Sequence, residues 1–179
     1  KLKMMGIETA KSSTPQWVRG KLTEAFKTVM NGTEEELWDF VEYTRKDFRN
    51  LPVEDMSSPR GCNNLKQYSN TTTIYSKGTP IHVRGALLYN NELKKKNLDK
   101  RYEVVKNSDK IRFTYLTVPN PLNENVISYI NTLPKEFDLH RYVDYDLQFD
   151  KSFIEPLKKV ITLIGWNVEP VASLDSFFG

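Results

Sequence analysis

Two amphipathic helical patterns lie almost end to end in the first fifty residues, and that arrangement limits the fold more than anything else in the chain. Thr14 and Pro15 read as an N-cap followed by proline at the first helical position, after which Val18, Leu22, Phe26 and Val29 recur at helical spacing. Asn31-Gly32 stops this helix. Thr33 and Glu36 then form a capping box for a second, with Leu37, Phe40, Val41 and Phe48 as its apolar stripe until Pro52 intervenes. A connection that short leaves the two helices antiparallel, stripe against stripe.

Beyond Pro52 the pattern changes character. Residues 55–61 read as loop, 63–68 as a short helix and 69–78 as polar and turn-rich. Thr79-Pro80 repeats the cap-plus-proline signal and opens a third helix through His82, Val83, Ala86, Leu87 and Tyr89 to about Leu93. Residues 98–109 are charged and carry no assignable period. From Lys110 to Val118, Ile111, Phe113 and Tyr115 alternate with Lys110, Arg112 and Thr114, the pattern of a strand with one buried face, and residues 125–130 are placed to pair with it. A helix is expected within 139–145. A longer one is expected over 149–165, burying Phe153, Leu157, Val160, Ile161 and Ile164 and carrying Pro156 as a kink or first-turn residue. The fold class is α+β and predominantly helical, with a small antiparallel β element and an extended carboxyl-terminal tail.

At 179 residues the chain can bury about two-thirds of its unfolded surface without a metal or disulfide staple. Its lone Cys62 cannot form an internal disulfide, and two His with one Cys make a poor zinc set. No run is long enough to span a membrane, and nothing reads as a signal peptide. A net charge of +3 argues against a histone-like binder, yet the cations are grouped, in Lys1, Lys3 and Lys11, in Lys94-Lys95-Lys96, and in Lys100-Arg101. A phosphate-facing surface fits that grouping. For the run Lys94 to Lys96, a solvated helix end complementing the dipole is the simpler alternative.

Three places could carry binding chemistry. Lys3, Lys11, Ser12 and Ser13 sit at a strand-to-helix junction where backbone N–H groups and hydroxyls add to positive charge around a phosphate; ordinary capping is the competing role for the two serines. Lys77, His82 and Arg84 gather at the start of the third helix, with Asn64 and Tyr68 as neutral donors from the segment before it. A satisfied structural histidine is the alternative for His82. At the carboxyl end, Leu174, Phe177 and Phe178 fit aliphatic-x-x-aromatic-aromatic, a spacing that presents three anchors from one turn to a partner's groove or back to the chain's own core. Asp144-Tyr145-Asp146 offers two carboxylates, read here as structural. There is no Gly-rich phosphate loop and no supported nucleophile-base set.

Several stretches bear a family resemblance. Lys3-x-x-Gly6-x-Glu8 followed by Lys11-Ser12-Ser13-x-Pro15 resembles the last palm element of family B DNA polymerases, the segment that leads into the thumb. His82-Val83-Arg84-Gly85, Lys110-Ile111-Arg112-Phe113 before Pro119-Asn120-Pro121, Lys151-Ser152-Phe153-Ile154-x-Pro156-Leu157 and Ala172-Ser173-Leu174-Asp175 resemble the T-even-type bacteriophage branch, in the same order. The tail resembles the sliding-clamp-binding peptide of replication proteins, with Val171 where a Gln is usual. The resemblance implies a final palm strand and junction over 1–14, a thumb over 15–169 and a clamp-binding tail over 170–179. It implies that Lys1, Lys3, Lys11, Ser12, Ser13, Asn64, Tyr68, Lys77, His82 and Arg84 face primer-template duplex and that Leu174, Phe177 and Phe178 bind a clamp. Palm and fingers would be further partners, and the setting the cytoplasm of an infected bacterium.

Two-metal nucleotidyl transfer needs paired carboxylates. The Ser-Leu-Tyr-Pro and Asp-Thr-Asp segments that supply them in that family are not in this sequence. The resemblance therefore implies a chain that is inactive by itself and holds no cofactor, the complete polymerase using Mg²⁺. An opening at Lys1, directly on a strand-like pattern, leads to the expectation that the chain starts inside a longer one, whether a split polymerase or a trimmed one. The leading alternative is a stand-alone, non-enzymatic clamp adaptor. A sequence-specific regulator fits less well, because the third helix offers chiefly Arg84, Asn90 and Asn91 for base edges.

Overall fold

A computed structural model of the chain describes residues 11–172; the opening strand pattern, Lys1, Lys3 and the anchors Leu174, Phe177 and Phe178 lie outside the described residues. The chain forms two compact units, one from residues 1–50 together with 149–179 and one from 51–148. Among the described residues the first unit is helical and the second carries all the strands, so the chain as a whole has the α+β class that the sequence patterns indicate.

The first unit is built on the expected helix pair, α1 (Gln16–Asn31) and α2 (Glu34–Arg49). Thr33 caps α2, its Oγ1 accepting the Glu36 N–H at 3.2 Å. Thr14 does not cap α1: Pro15 itself occupies the N-cap position without a side-chain hydrogen bond, and Thr14 is buried. Val18, Leu22, Ala25 and Phe26 of α1 face Leu37, Val41 and Phe48 of α2, all buried. The returning chain completes this core. Trp17, Phe48, Phe149 and Phe153 form a continuous aromatic row with successive centroid separations of 5.9, 5.2 and 4.8 Å. Such pairs add about 0.5–1.5 kcal/mol each beyond their buried area.

The long carboxyl-terminal helix expected over 149–165 is not uniform. A π-helical turn, Asp150–Ile154, precedes α7 (Glu155–Ile161), and a 3₁₀ turn, Thr162–Ile164, follows it. Pro156 is the physical cause: it has no N–H to donate and its ring crowds the carbonyl one turn back, so the chain widens by a residue there. Phe153, Leu157 and Ile161 reach the core as expected, but after the narrow last turn Ile164 is exposed and Val160 only half-buried, against the sequence pattern. Gly165, at φ +76°, ends the helix in the left-handed region where a side chain is disfavoured.

The second unit holds a three-stranded antiparallel sheet in the order β1-β4-β5, from β1 (Ser58–Cys62), β4 (Asp109–Tyr115) and β5 (Val126–Tyr129). The β4-β5 pairing matches expectation; β1 does not, because a Ser-Pro-Arg-Gly-Cys segment carries no alternation and reads as loop. It is a strand because it pairs with β4, Pro59 opposite Arg112 and Arg60 opposite Ile111. A short helix, α3 (Val53–Met56), covers one face of this sheet. It explains why Thr114, expected on the polar face, is wholly buried, with its hydroxyl 3.4 Å from Met56 Sδ. Tyr129, also buried there, donates to Ser57 Oγ at 2.6 Å.

The opposite face receives α5 (Ile81–Lys95), with Pro80 again as the N-cap and Thr79 bonded instead to the Ser76 carbonyl at 2.6 Å. Gly85 lets α5 lie almost on the backbone of β5: a Cβ there would stand 2.7 Å from the Ser128 nitrogen. Ser128 Oγ donates to the His82 carbonyl at 2.8 Å, closing the contact. The unassigned stretch 98–109 has no regular structure before β4 and is held by α5, where the Asn90 amide donates to Val105 O at 2.9 Å and accepts from Val105 N at 2.8 Å. Residues 139–145 form a 3₁₀ turn, His140–Tyr142, and not the expected α-helix; α6 (Tyr145–Phe149) starts only afterwards, capped by Asp144, which accepts the Leu147 N–H at 3.0 Å.

Gly85→Ala tests the helix-sheet contact in an unusual direction. Alanine gains about 1 kcal/mol of helix propensity over glycine. Here the methyl meets backbone that cannot swing away, so the substitution is expected to destabilise by a net amount of about 1–3 kcal/mol in urea unfolding; a stabilised variant would show that α5 does not approach β5 so closely.

Candidate nucleic-acid interface

The cation-bearing start of α5 is assembled by the segment before it. α4 (Leu65–Tyr68) leads into a minimal hairpin of β2 (Ser69–Asn70) and β3 (Ile74–Tyr75), whose turn is closed by Asn70 Oδ1 accepting the N–H groups of Thr72 at 2.8 Å and Thr73 at 3.1 Å. The Ser76 N–H returns to the Tyr68 carbonyl at 2.8 Å, which ties α4 to the chain entering the helix. Lys77 then projects, exposed, beside Gly78 at φ +83°, and the first turn of α5 contains no acidic residue. Unpaired N–H groups at the head of a 15-residue helix add a partial positive charge to this surface.

His82 is half-buried, with its ring 6.4 Å from that of Phe113 across the helix-sheet contact. Burial pushes its pKa below the ordinary value, the Arg60 charge pushes in the same direction, and a hydrogen bond with the Gly61 backbone opposes both. Arg60 itself lies over the Phe113 ring at 5.2 Å. Arg84 is held tightly: its Nη1 is 3.1 Å from Glu124 Oε2, its guanidinium sits 5.6 Å from the Tyr75 ring centre, and Tyr75 donates to Glu124 Oε1 at 2.8 Å. That hydrogen bond is the main reason the Tyr75 hydroxyl titrates above its usual range. Glu124 is in turn positioned by buried Asn120, whose amide donates to Thr117 O at 2.8 Å and Glu124 O at 2.7 Å and whose Oδ1 accepts the Leu122 N–H at 2.9 Å.

Of the residues singled out from sequence, the second unit holds Asn64, Tyr68, Lys77, His82 and Arg84 around α4, β3 and the start of α5. Asn64 is exposed with φ 62°, and its N–H donates to Asn107 Oδ1 at 2.7 Å. Lys11, Ser12 and Ser13 are in the first unit, in the turn before α1, where Thr14 N–H donates to the Lys11 carbonyl at 3.2 Å. Sequence reading missed Arg60, Tyr75 and Glu124. Arg60 sits in a segment without strand periodicity, and Glu124 meets Arg84 across a separation of 40 residues with no local signal.

Asp144 caps α6, and among the described residues there is no group of three His, Cys, Asp or Glu side chains that could hold an ion. No helix among the described residues is long and apolar enough to cross a membrane.

The chain is 29% identical over 182 residues to the DNA-directed DNA polymerase of Enterobacteria phage T4 and 32% identical over 183 residues to that of Escherichia phage RB69. It is homologous to the DNA polymerases of T-even phages. Each match covers 99% of this chain, which spans about a fifth of the length of the curated relatives it matches. No protein-family model matches the chain.

The His82 environment has a measurable consequence. The folded state takes up this proton less readily than the unfolded chain, so its contribution to stability is complete above about pH 6.5 and is lost as the pH falls through the window below that value. His82→Gln is expected to flatten the pH dependence of urea stability in the window below about pH 6.5, and an unchanged profile would remove His82 from the half-buried contact.

Proposed function

We propose that the chain is the carboxyl-terminal region of a family B phage DNA polymerase, supplying a thumb that grips primer-template duplex and a tail that tethers the enzyme to a sliding clamp. The similarity along 99% of this chain to only a fifth of the T4 and RB69 polymerases carries the reading. Such a region has to hold duplex without reading its sequence, which calls for cations, helix amino ends and neutral donors directed at phosphates. Lys11, Ser12 and Ser13 before α1, and Lys77, Asn64, Tyr68 and the head of α5, supply groups of that kind. The carboxylate pair and Mg²⁺ of the polymerase reaction belong in this reading to the palm, absent from this sequence, and the assembled enzyme works in the cytoplasm of an infected bacterium.

The experiment is a pair of measurements on the purified 179-residue chain. It should not extend a primer with Mg²⁺ and nucleotides unless the missing palm and fingers are added, and it should bind duplex with little regard to sequence, its affinity falling steeply with salt. Lys77→Ala should flatten the log-log salt dependence by about 0.9, the value for one released counterion. Extension by the chain alone, or binding indifferent to salt, would overturn the reading.

For the tail, Phe177→Ala combined with Phe178→Ala should remove detectable binding to the clamp of the same phage, since a buried aromatic anchor is worth about 2 kcal/mol or more. Melting temperature and duplex binding should hardly change. If the double variant instead melts many degrees lower, the two rings belong to the core and the tether is wrong.

A further inference from the structure

The Arg84-Glu124-Tyr75 arrangement has a chemical logic of its own. Both carboxylate oxygens are engaged, Oε2 by the Arg84 guanidinium at 3.1 Å and Oε1 by the Tyr75 hydroxyl at 2.8 Å. An aromatic face supports the same guanidinium. A singly charged anion with two acceptor oxygens, set against a stacked arginine near the head of a helix, is what a backbone phosphate would also present in that position, although its phosphorus is tetrahedral and the carboxylate planar. Arg84 and Glu124 are each about one-fifth exposed, at 21% and 19% of the side chain, so the pair is partly open to solvent and can exchange partners.

We propose that Glu124 is an internal stand-in for a backbone phosphate, masking Arg84 in the free chain and yielding it to duplex DNA. The proposal rests on the reading of the α5 head as a phosphate-facing surface and names how that surface is regulated. Exchange replaces one Arg-carboxylate pair by one Arg-phosphate pair, so contact at Arg84 is gained only where a phosphate is held closely enough to compete. Loose encounters would be discriminated against, while a duplex seated on the surface would gain an additional cation. Glu124 lines a solvent-connected cleft of about 150 Å³ beside β3 and α5, with Asn91, Glu92 and Lys95 also on its walls, so room for its side chain to move exists next to the pair. Lys95 is exposed, and its ammonium stands 4.0 Å from Glu92.

Glu124→Gln keeps the size of the side chain and removes its charge, so the test is duplex binding by the 179-residue chain and this variant across a salt series. The variant should bind about 5- to 10-fold more tightly near 0.1 M salt and show a log-log slope steeper by about 0.9, as expected for one additional phosphate contact. Arg84→Ala should cost less in the original chain, where release from Glu124 offsets part of the phosphate contact, than in the Glu124→Gln background, where it should erase the whole gain. That second comparison is read within pairs of variants, and melting curves select the pairs that are equally folded. If the original chain binds duplex with the expected salt dependence and Glu124→Gln changes neither affinity nor slope, the mask is refuted and the phosphate surface stands. A gain that survives Arg84→Ala is generic loss of negative charge and also refutes it. If neither form binds duplex, the phosphate surface itself is wrong.

Discussion

The near-contact of α5 with β5 at Gly85 and Ser128 sets the geometry of the second unit. A helix normally packs on a sheet through a layer of side chains, and the absence of one at Gly85 draws the two backbones together. With this point fixed, the helical period decides everything else: Val83, Ala86 and Tyr89 go into the core, His82 meets Phe113, and Arg84 is turned toward β3 and Glu124. The Ser128 hydroxyl is satisfied by the His82 carbonyl, so the close approach leaves no stranded polar group at this point. Tyr89 has its hydroxyl 2.9 Å from the Glu103 carbonyl, and burial raises its pKa to about 12, so it stays neutral and anchors the irregular 98–109 segment.

The first unit solves a different problem, because its core is completed by a segment that returns after 98 intervening residues. Local helix pairing alone would leave Phe48 half-covered. Phe149 and Phe153 finish the row, and Arg45 lies over Phe149 at 5.0 Å while also standing 3.8 Å from Asp150. The π turn before Pro156 is part of the same solution: one extra residue in the turn shifts the face that Leu157 and Ile161 present.

What could be read from the sequence was what depends on local periodicity. The helices α1, α2 and α5 carry their own signal, since each buries one face at a helical repeat, and β4 carries the alternation of Ile111 and Phe113 that placed it and its neighbour β5 as a pair. The failures share a cause, which is that the deciding partner is distant in sequence. β1 is a strand only because β4 is there to pair with it, and Thr114 is buried only because α3 closes over it. In the sequence a proline following Thr14 and Thr79 makes each look like a cap, but a proline taking the N-cap position leaves no N-cap role for the threonine before it. The T-even resemblance is legible in short stretches that follow one another in order along the chain, whereas the partner of Arg84 is not, because no pattern links positions 84 and 124.

That hidden partner changes how a basic surface should be counted. From sequence, each Lys and Arg near the head of α5 adds one charge to a potential that attracts phosphates. In the fold, Arg84 is paired with Glu124, and Arg60 is spread over an aromatic ring beside a histidine whose own protonation it discourages. Lys77 keeps its exposed charge in full. At larger distance, Arg101 is likewise paired, with Glu136 at 3.0 Å. Long-range attraction at physiological ionic strength therefore comes from exposed lysines, whose field falls off within about 8 Å. In the proposed phosphate-facing reading, Arg84 would act later and at contact range, where a phosphate competes with the Glu124 carboxylate already in place, so that capture and grip would fall to different residues.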